Sequence, residues 1–242
     1  MTLTALQWLV MAPAFKITRH VELLTALVAT ELINPLLAEA KLAERVASIV
    51  LFSLVCVAVF RALFHTTRRR WIGAILVGTT LALSLTRLFV PTELRLQTGV
   101  LLNVSAATFY VFVLSVIVSH VFNTRVLRTD DVVGAFSGYM LIALVWGRLY
   151  ALAWMLEPSY FSISPNIDWQ LHNWNTLMAL FDFYSFTTIS TIGYAAITTT
   201  GPSGNTLVWL EVMCGQFYMA VVVATIVGMK LAEALSSPRD GA

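Results

Sequence analysis

Apolar residues run along this chain in long blocks, interrupted by short polar or charged punctuation. Six blocks have the length and purity of membrane-crossing helices: Arg19–Ala38, Glu44–Phe64, Trp71–Val90, Thr98–Phe122, Val132–Met155 and Asn205–Leu235. An apolar run of roughly 18 to 25 residues, coiled as a helix, crosses the hydrocarbon core of about 30 Å. A seventh block, about Trp174–Ile189, falls between the last two and is short for a crossing. A helix that enters the membrane and turns back is the expectation there. The last block, read as about 31 residues, would reach about 46 Å at 1.5 Å per residue, so it must tilt or protrude.

Composition agrees with this pattern. Of 242 residues 58% are hydrophobic and only 12% charged, with a mean hydropathy of +0.80. About a quarter of a soluble domain is charged, so a bilayer is the expected solvent. The 15 Lys and Arg orient the spans. With both termini in the cytoplasm, Lys16, Arg19, Arg61, Arg68, Arg69, Arg70, Arg125, Arg128, Lys230 and Arg239 face inward. Only Lys41, Arg45, Arg87 and Arg95 face outward. That asymmetry follows the positive-inside rule, and a further full crossing between the fifth and sixth spans would put Lys230 and Arg239 outside. Residues 1–18 lack a basic start and read as an interfacial or disordered lead-in rather than a secretory signal. Cys56 and Cys214 fall within spans and read as reduced packing residues. No nucleotide-binding loop is present, and no nucleic-acid partner is expected.

Between the fifth and sixth spans lies FDFYSFTTISTIGYAAITTTGPSGN. Its core, Thr191-Ile192-Gly193-Tyr194, with Thr188 and Ser190 before it, resembles the filter of the potassium channel superfamily, Thr-Val-Gly-Tyr-Gly. Phe183 and Tyr184 match the aromatic pair on that family's pore helix. Gly215 stands about where its inner helix carries a flexible glycine. The resemblance covers about residues 131–235 and implies an all-α membrane protein of six transmembrane helices, with a re-entrant pore helix and filter loop between helices five and six. The implied organisation is a lead-in (1–18), a four-helix bundle (19–122), a cytoplasmic linker (123–130), a pore domain (131–235) and a short tail (236–242).

A bare cation in hydrocarbon is costly, so a pore must replace its hydration shell with oxygens. The family does this with four copies of the segment, which implies a homotetramer passing potassium. Thr191, Ile192, Gly193 and Tyr194 would supply carbonyl rings, and the Thr191 hydroxyl would add to the innermost site. Ile192 would pack behind the filter. Thr187, Thr188 and Ser190 would support it, and the carboxyl end of the pore helix would face the ion with its partial negative charge. No cofactor is expected beyond the permeant monovalent cation.

This chain departs from the family at Ala195, where the last filter glycine stands. Glycine reaches positive φ freely, whereas an L-residue there costs roughly 1–2 kcal/mol. Ala196 replaces the usual acidic residue after the filter, and Thr187 replaces a glutamate found behind it in some members. Those two positions can pair, so losing both leaves no orphan charge. Weakened potassium selectivity or altered inactivation is the corresponding expectation. The alternative is a non-conducting, channel-like scaffold or regulatory subunit, supported by Ala195.

Charge bears on this in three further places. Glu157, Asp168, Asp182 and Glu211 fall in an interval without Lys or Arg, giving a formal −4 per subunit that would draw cations. Asp182 is the candidate vestibule charge. The fourth span carries no arginine, so steep voltage sensing by the usual route is not expected. Glu31, in the middle of the first span, is a functional candidate or half of an intramembrane ion pair with Arg87 or Arg148. The histidines lie at span ends or in loops, and no Ser–His or paired-Asp arrangement points to an intramembrane enzyme. Gly215, Ala220, Ala224 and Gly228 offer small faces on the last span, Gly215 as hinge or packing residue. A bacterial inner membrane is the expected location.

Overall fold

A computed structural model describes residues 19–36, 50–60, 67–86, 89–123, 129–164, 174–193 and 197–236. These form seven α-helices: α1 Arg19–Leu36, α2 Val50–Phe60, α3 Thr67–Thr86, α4 Arg95–Asn123, α5 Thr129–Leu156, α6 Trp174–Ile189 and α7 Gly201–Ser236. Two 3₁₀ turns, Thr92–Leu94 and Pro158–Tyr160, lead into α4 and follow α5.

Among the described residues, three helices are long and apolar enough to cross a membrane: α4, α5 and α7 over Arg95–Val121, Asp130–Leu156 and Gly201–Ala232. α1 and α3 have 18 and 20 residues. Arg19, Glu22 and Glu31 in α1, and Arg68 to Arg70 in α3, lower their apolar character. The described part of α2 is shorter still. α7 begins four residues before the predicted start and has 36 residues, about 54 Å at 1.5 Å per residue. α6 occupies the residues predicted for the short helix. Its 16 residues reach only about 24 Å, less than a hydrocarbon core.

α5 is the centre of the packing. α1, α4, α6 and α7 all lie against it, and α1 also reaches α6. One apolar core joins Leu23 and Leu27 of α1, Val55 and Val59 of α2, Phe109, Val113 and Ile117 of α4, and Leu141 and Leu144 of α5. A second gathers Tyr150 of α5 with Phe161, Phe181, Tyr184 and Ile197. Its rings meet mostly edge to face, Tyr150 and Tyr184 at 4.9 Å between centroids. That arrangement suits aromatic quadrupoles.

The sequence reading has no strands, yet two are present among the described residues. β1, Phe161–Ile163, pairs antiparallel with β2, Ile197–Thr199, in the register Phe161↔Thr199 and Ile163↔Ile197. The Thr200 N–H adds a bond to Tyr160 O at 2.8 Å. The ribbon brings the chain after α6 back to the end of α5 that it left. α6 and the turn that follows it therefore form an out-and-back excursion, with α6 packed against both α5 and α7.

Candidate functional site

The site forms where α6 ends. The last four carbonyls of a helix lack partners within it, and here the following residues supply them. Phe186 O accepts from the Ser190 N–H and hydroxyl, the latter at 2.6 Å. Thr187 O accepts from the N–H groups of both Ile192 and Gly193, at 2.9 and 3.1 Å. Thr188 O accepts from the Thr191 N–H at 2.9 Å, and Ile189 O from the Tyr139 hydroxyl of α5 at 3.0 Å. The turn is thus sewn onto the helix that precedes it. The partial negative charge expected at the carboxyl end of α6 is correspondingly engaged by these donors.

The backbone at the turn alternates in hand. Thr191 has φ +60° and Gly193 φ +72°, while Ile192 between them is not in the positive region. Alternation of this kind turns successive N–H groups to one side of the chain and successive carbonyls to the other. All three N–H groups face back to α6. The carbonyls of Thr191, Ile192 and Gly193 accept no hydrogen bond among the described residues. The sequence reading expects backbone strain at Ala195. That residue lies outside the described ones; among the described residues it is Thr191, β-branched, that takes a left-handed conformation, at a cost of roughly 1–2 kcal/mol. Strained backbone of this sort persists where the surroundings over-determine it. Tyr194 and Ala195 lie outside the described residues.

Of the support residues, Tyr184, Thr187 and Thr188 are buried, and the Thr187 hydroxyl donates to Tyr184 O at 2.9 Å. Ser190 is exposed. Phe183 is 54% exposed and Ile192 62% exposed, so each is only partly covered. Ile192, expected to pack behind the turn, stands largely exposed among the described residues. Gly215 of α7 lies against the end of α6: a Cβ there would come within 2.3 Å of Ile189 Cγ1. Close helix approach alone therefore calls for glycine at this position.

The expected charge map changes. Asp182 is 4% exposed and accepts from Arg148 of α5 in a buried ion pair. It is not a surface charge of this chain, and Arg148 takes it as partner instead of Glu31. Gly147 makes the contact feasible, because a Cβ there would collide with Asp182 Oδ1. Glu31, half-buried on α1, lies within electrostatic reach of both. Arg87 and Asp168 lie outside the described residues; of the three described carboxylates, Glu157 is the exposed one.

Glu211 is the residue that sequence reasoning misplaced. It is 0% exposed, on the face of α7 that packs behind α6. Its Oε2 accepts from the Tyr150 hydroxyl at 2.5 Å, and its Oε1 contacts the Ser185 hydroxyl. The chain thus keeps a carboxylate behind α6, supplied by α7. Ser185 has one hydroxyl hydrogen and a second acceptor, Ala143 O, at 2.6 Å. An amide at 211 could accept from Tyr150 and donate to Ser185, freeing that hydrogen for Ala143. Glu211→Gln is therefore expected to unfold at nearly the wild-type temperature. Glu211→Leu, which strands the buried Tyr150 hydroxyl while Ser185 keeps Ala143 O as acceptor, should lose about 1–3 kcal/mol. Thermal unfolding of both variants in detergent measures the difference.

The arrangement offers three consecutive carbonyls to whatever lies on their side, held by a helix end that is itself clamped between α5 and α7. Hard monovalent cations are the ligands that such oxygens suit. Compared with protein-family models, with curated proteins and with solved structures, the chain matches none.

Proposed function

We propose that the protein is a tetrameric cation channel of six membrane-spanning helices, passing potassium through the carbonyls of Thr191, Ile192, Gly193 and Tyr194. The observation that carries this reading is the alternating backbone at 191–193. It commits every N–H to α6 and leaves every carbonyl unbonded among the described residues. One chain supplies one carbonyl at each level, and a cation stripped of water needs several. Sister copies around a common axis complete the ring. The exposed Ile192 and Phe183 are then available to a neighbouring subunit or to lipid. α6 and its turn act as the re-entrant pore element, α7 as the inner helix, α5 as the outer helix and α1 to α4 as an accessory bundle.

Purified protein in liposomes tests this. Potassium efflux down a gradient is expected, with sodium flux smaller but measurable, and Ala195→Gly is expected to sharpen the preference. Absence of flux in both salts, unrescued by Ala195→Gly, would leave the non-conducting scaffold reading in its place.

A further inference from the structure

Away from the pore element, a second cluster joins three helices that are distant in sequence. His20 lies in the first turn of α1, His120 in the last turn of α4 and Asp131 in the first turn of α5. One ligand atom from each lies within 4.8 Å of the others. His120 Nε2 is 3.1 Å from Asp131 Oδ1, and the two imidazole rings stand 5.7 Å apart, inclined by 31°. We propose that these three residues bind a first-row transition-metal dication of the zinc class.

The donor set selects the class of ion. Two imidazole nitrogens and one carboxylate oxygen suit zinc, cobalt(II) or nickel(II), whereas calcium and magnesium favour all-oxygen sites. The His120–Asp131 separation is already close to the about 3.3 Å between two ligands of a tetrahedral zinc with bonds near 2.0 Å. The remaining separations, within 4.8 Å, would have to shorten when an ion binds. Three protein ligands leave a fourth position for water.

The surroundings make room for such a site. His20 and Asp131 are buried while His120 is half-exposed, which gives an ion a way in from solvent. Gly134, one turn after Asp131, accommodates the His20 ring, since a Cβ there would stand 3.0 Å from Nδ1. Asp130 accepts from the His20 backbone N–H at 3.2 Å and so fixes the start of α1 beside α5. A bound ion would tie α1 and α4 to the first turn of α5, the helix that also carries Arg148. The site stands independently of what the pore element conducts.

The test uses the full-length protein purified in detergent without a histidine tag. Cobalt(II) is titrated in while its visible ligand-field absorption is recorded, and zinc stoichiometry is measured by equilibrium dialysis. One ion per chain is expected. His20→Gln and His120→Gln should each weaken binding at least about tenfold, the lower end of what even an outer-sphere loss costs. A protein changed to Gln at both His65 and His172 should bind as the wild type does. Unfolding temperatures of the metal-free proteins identify any variant that fails to fold; His120, being half-exposed, is the substitution that should leave the fold intact. Absence of saturable uptake, uptake unchanged in His120→Gln, or loss of uptake only in the His65/His172 protein would each overturn the assignment.

Discussion

Under the proposed channel function, potassium flux through Gly193→Val is expected to fall by at least about tenfold, with the proposed oligomer unchanged in size, because a β-branched residue is a poor occupant of left-handed backbone. Gly193 sits at φ +72° with nothing of its own chain within 4 Å of a prospective Cβ, so space is not what excludes valine. The conformation is. Each left-handed L-residue costs roughly 1–2 kcal/mol, and Thr191 two positions earlier already bears that cost. A second such residue in every subunit can escape by rotating the adjoining peptide plane. That rotation breaks the Gly193 N–H bond to Thr187 O and turns an N–H toward the side where the carbonyls stood. A partial positive charge would then face the ion. Stopped-flow liposome flux and size-exclusion chromatography read the two halves of this expectation. Wild-type flux would mean that ions do not pass along these carbonyls.

The second large effect concerns stability. Arg148→Met removes the cation from a pair in which Asp182 is almost wholly buried. A carboxylate left alone in such a place costs about 3–5 kcal/mol. The variant is therefore expected to unfold far below the wild type or to fail to assemble. Asp182→Leu combined with Arg148→Met should recover most of the loss, since apolar residues of similar volume often replace a buried pair without penalty. The pair already leaves Arg148 Nε and Asp182 Oδ1 without hydrogen-bond partners among the described residues, which narrows its advantage over an apolar contact. Thermal unfolding of the single and double variants gives the coupling energy directly. A double variant no more stable than Arg148→Met would show that the two side chains act separately.

These expectations show which parts of the molecule were legible in the sequence. α4, α5 and α7 announce themselves through uninterrupted apolar length, and α6 through an apolar run too short to cross, ending in Thr187 and Thr188. Hydropathy reports depth, however, and says nothing about partners. Asp182 and Glu211 carry the same formal charge as the exposed Glu157, so sequence placed all of them at an entrance. What separates them is contact across elements: Arg148 lies 34 positions before Asp182, and Tyr150 lies 61 before Glu211. Neither spacing belongs to any periodic pattern. A signal for Glu211 was nonetheless present, because it is a lone carboxylate inside the apolar stretch Thr206–Cys214. The argument that singled out Glu31 applies equally to it. The ribbon escaped notice because its strands have three residues each, although Ile197-Thr198-Thr199 has strand-forming composition. The left-handed Thr191 could not have been read at all, since β-branching argues against that conformation.

The small ribbon has a consequence for how freely this protein can change length. By pairing Phe161–Ile163 with Ile197–Thr199 it closes the excursion at its base, and the Thr200 contacts to Tyr160 O and Ser159 O strengthen the knot. Closure entropy grows only logarithmically, so doubling the stretch between Ile163 and Trp174 adds about 0.6 kcal/mol. An epitope or a small reporter domain spliced into that stretch pulls on the ribbon before it can pull on the turn at 191–193. On closure entropy alone, lengthening that stretch is therefore expected to cost the ribbon little while the turn at 191–193 keeps its form.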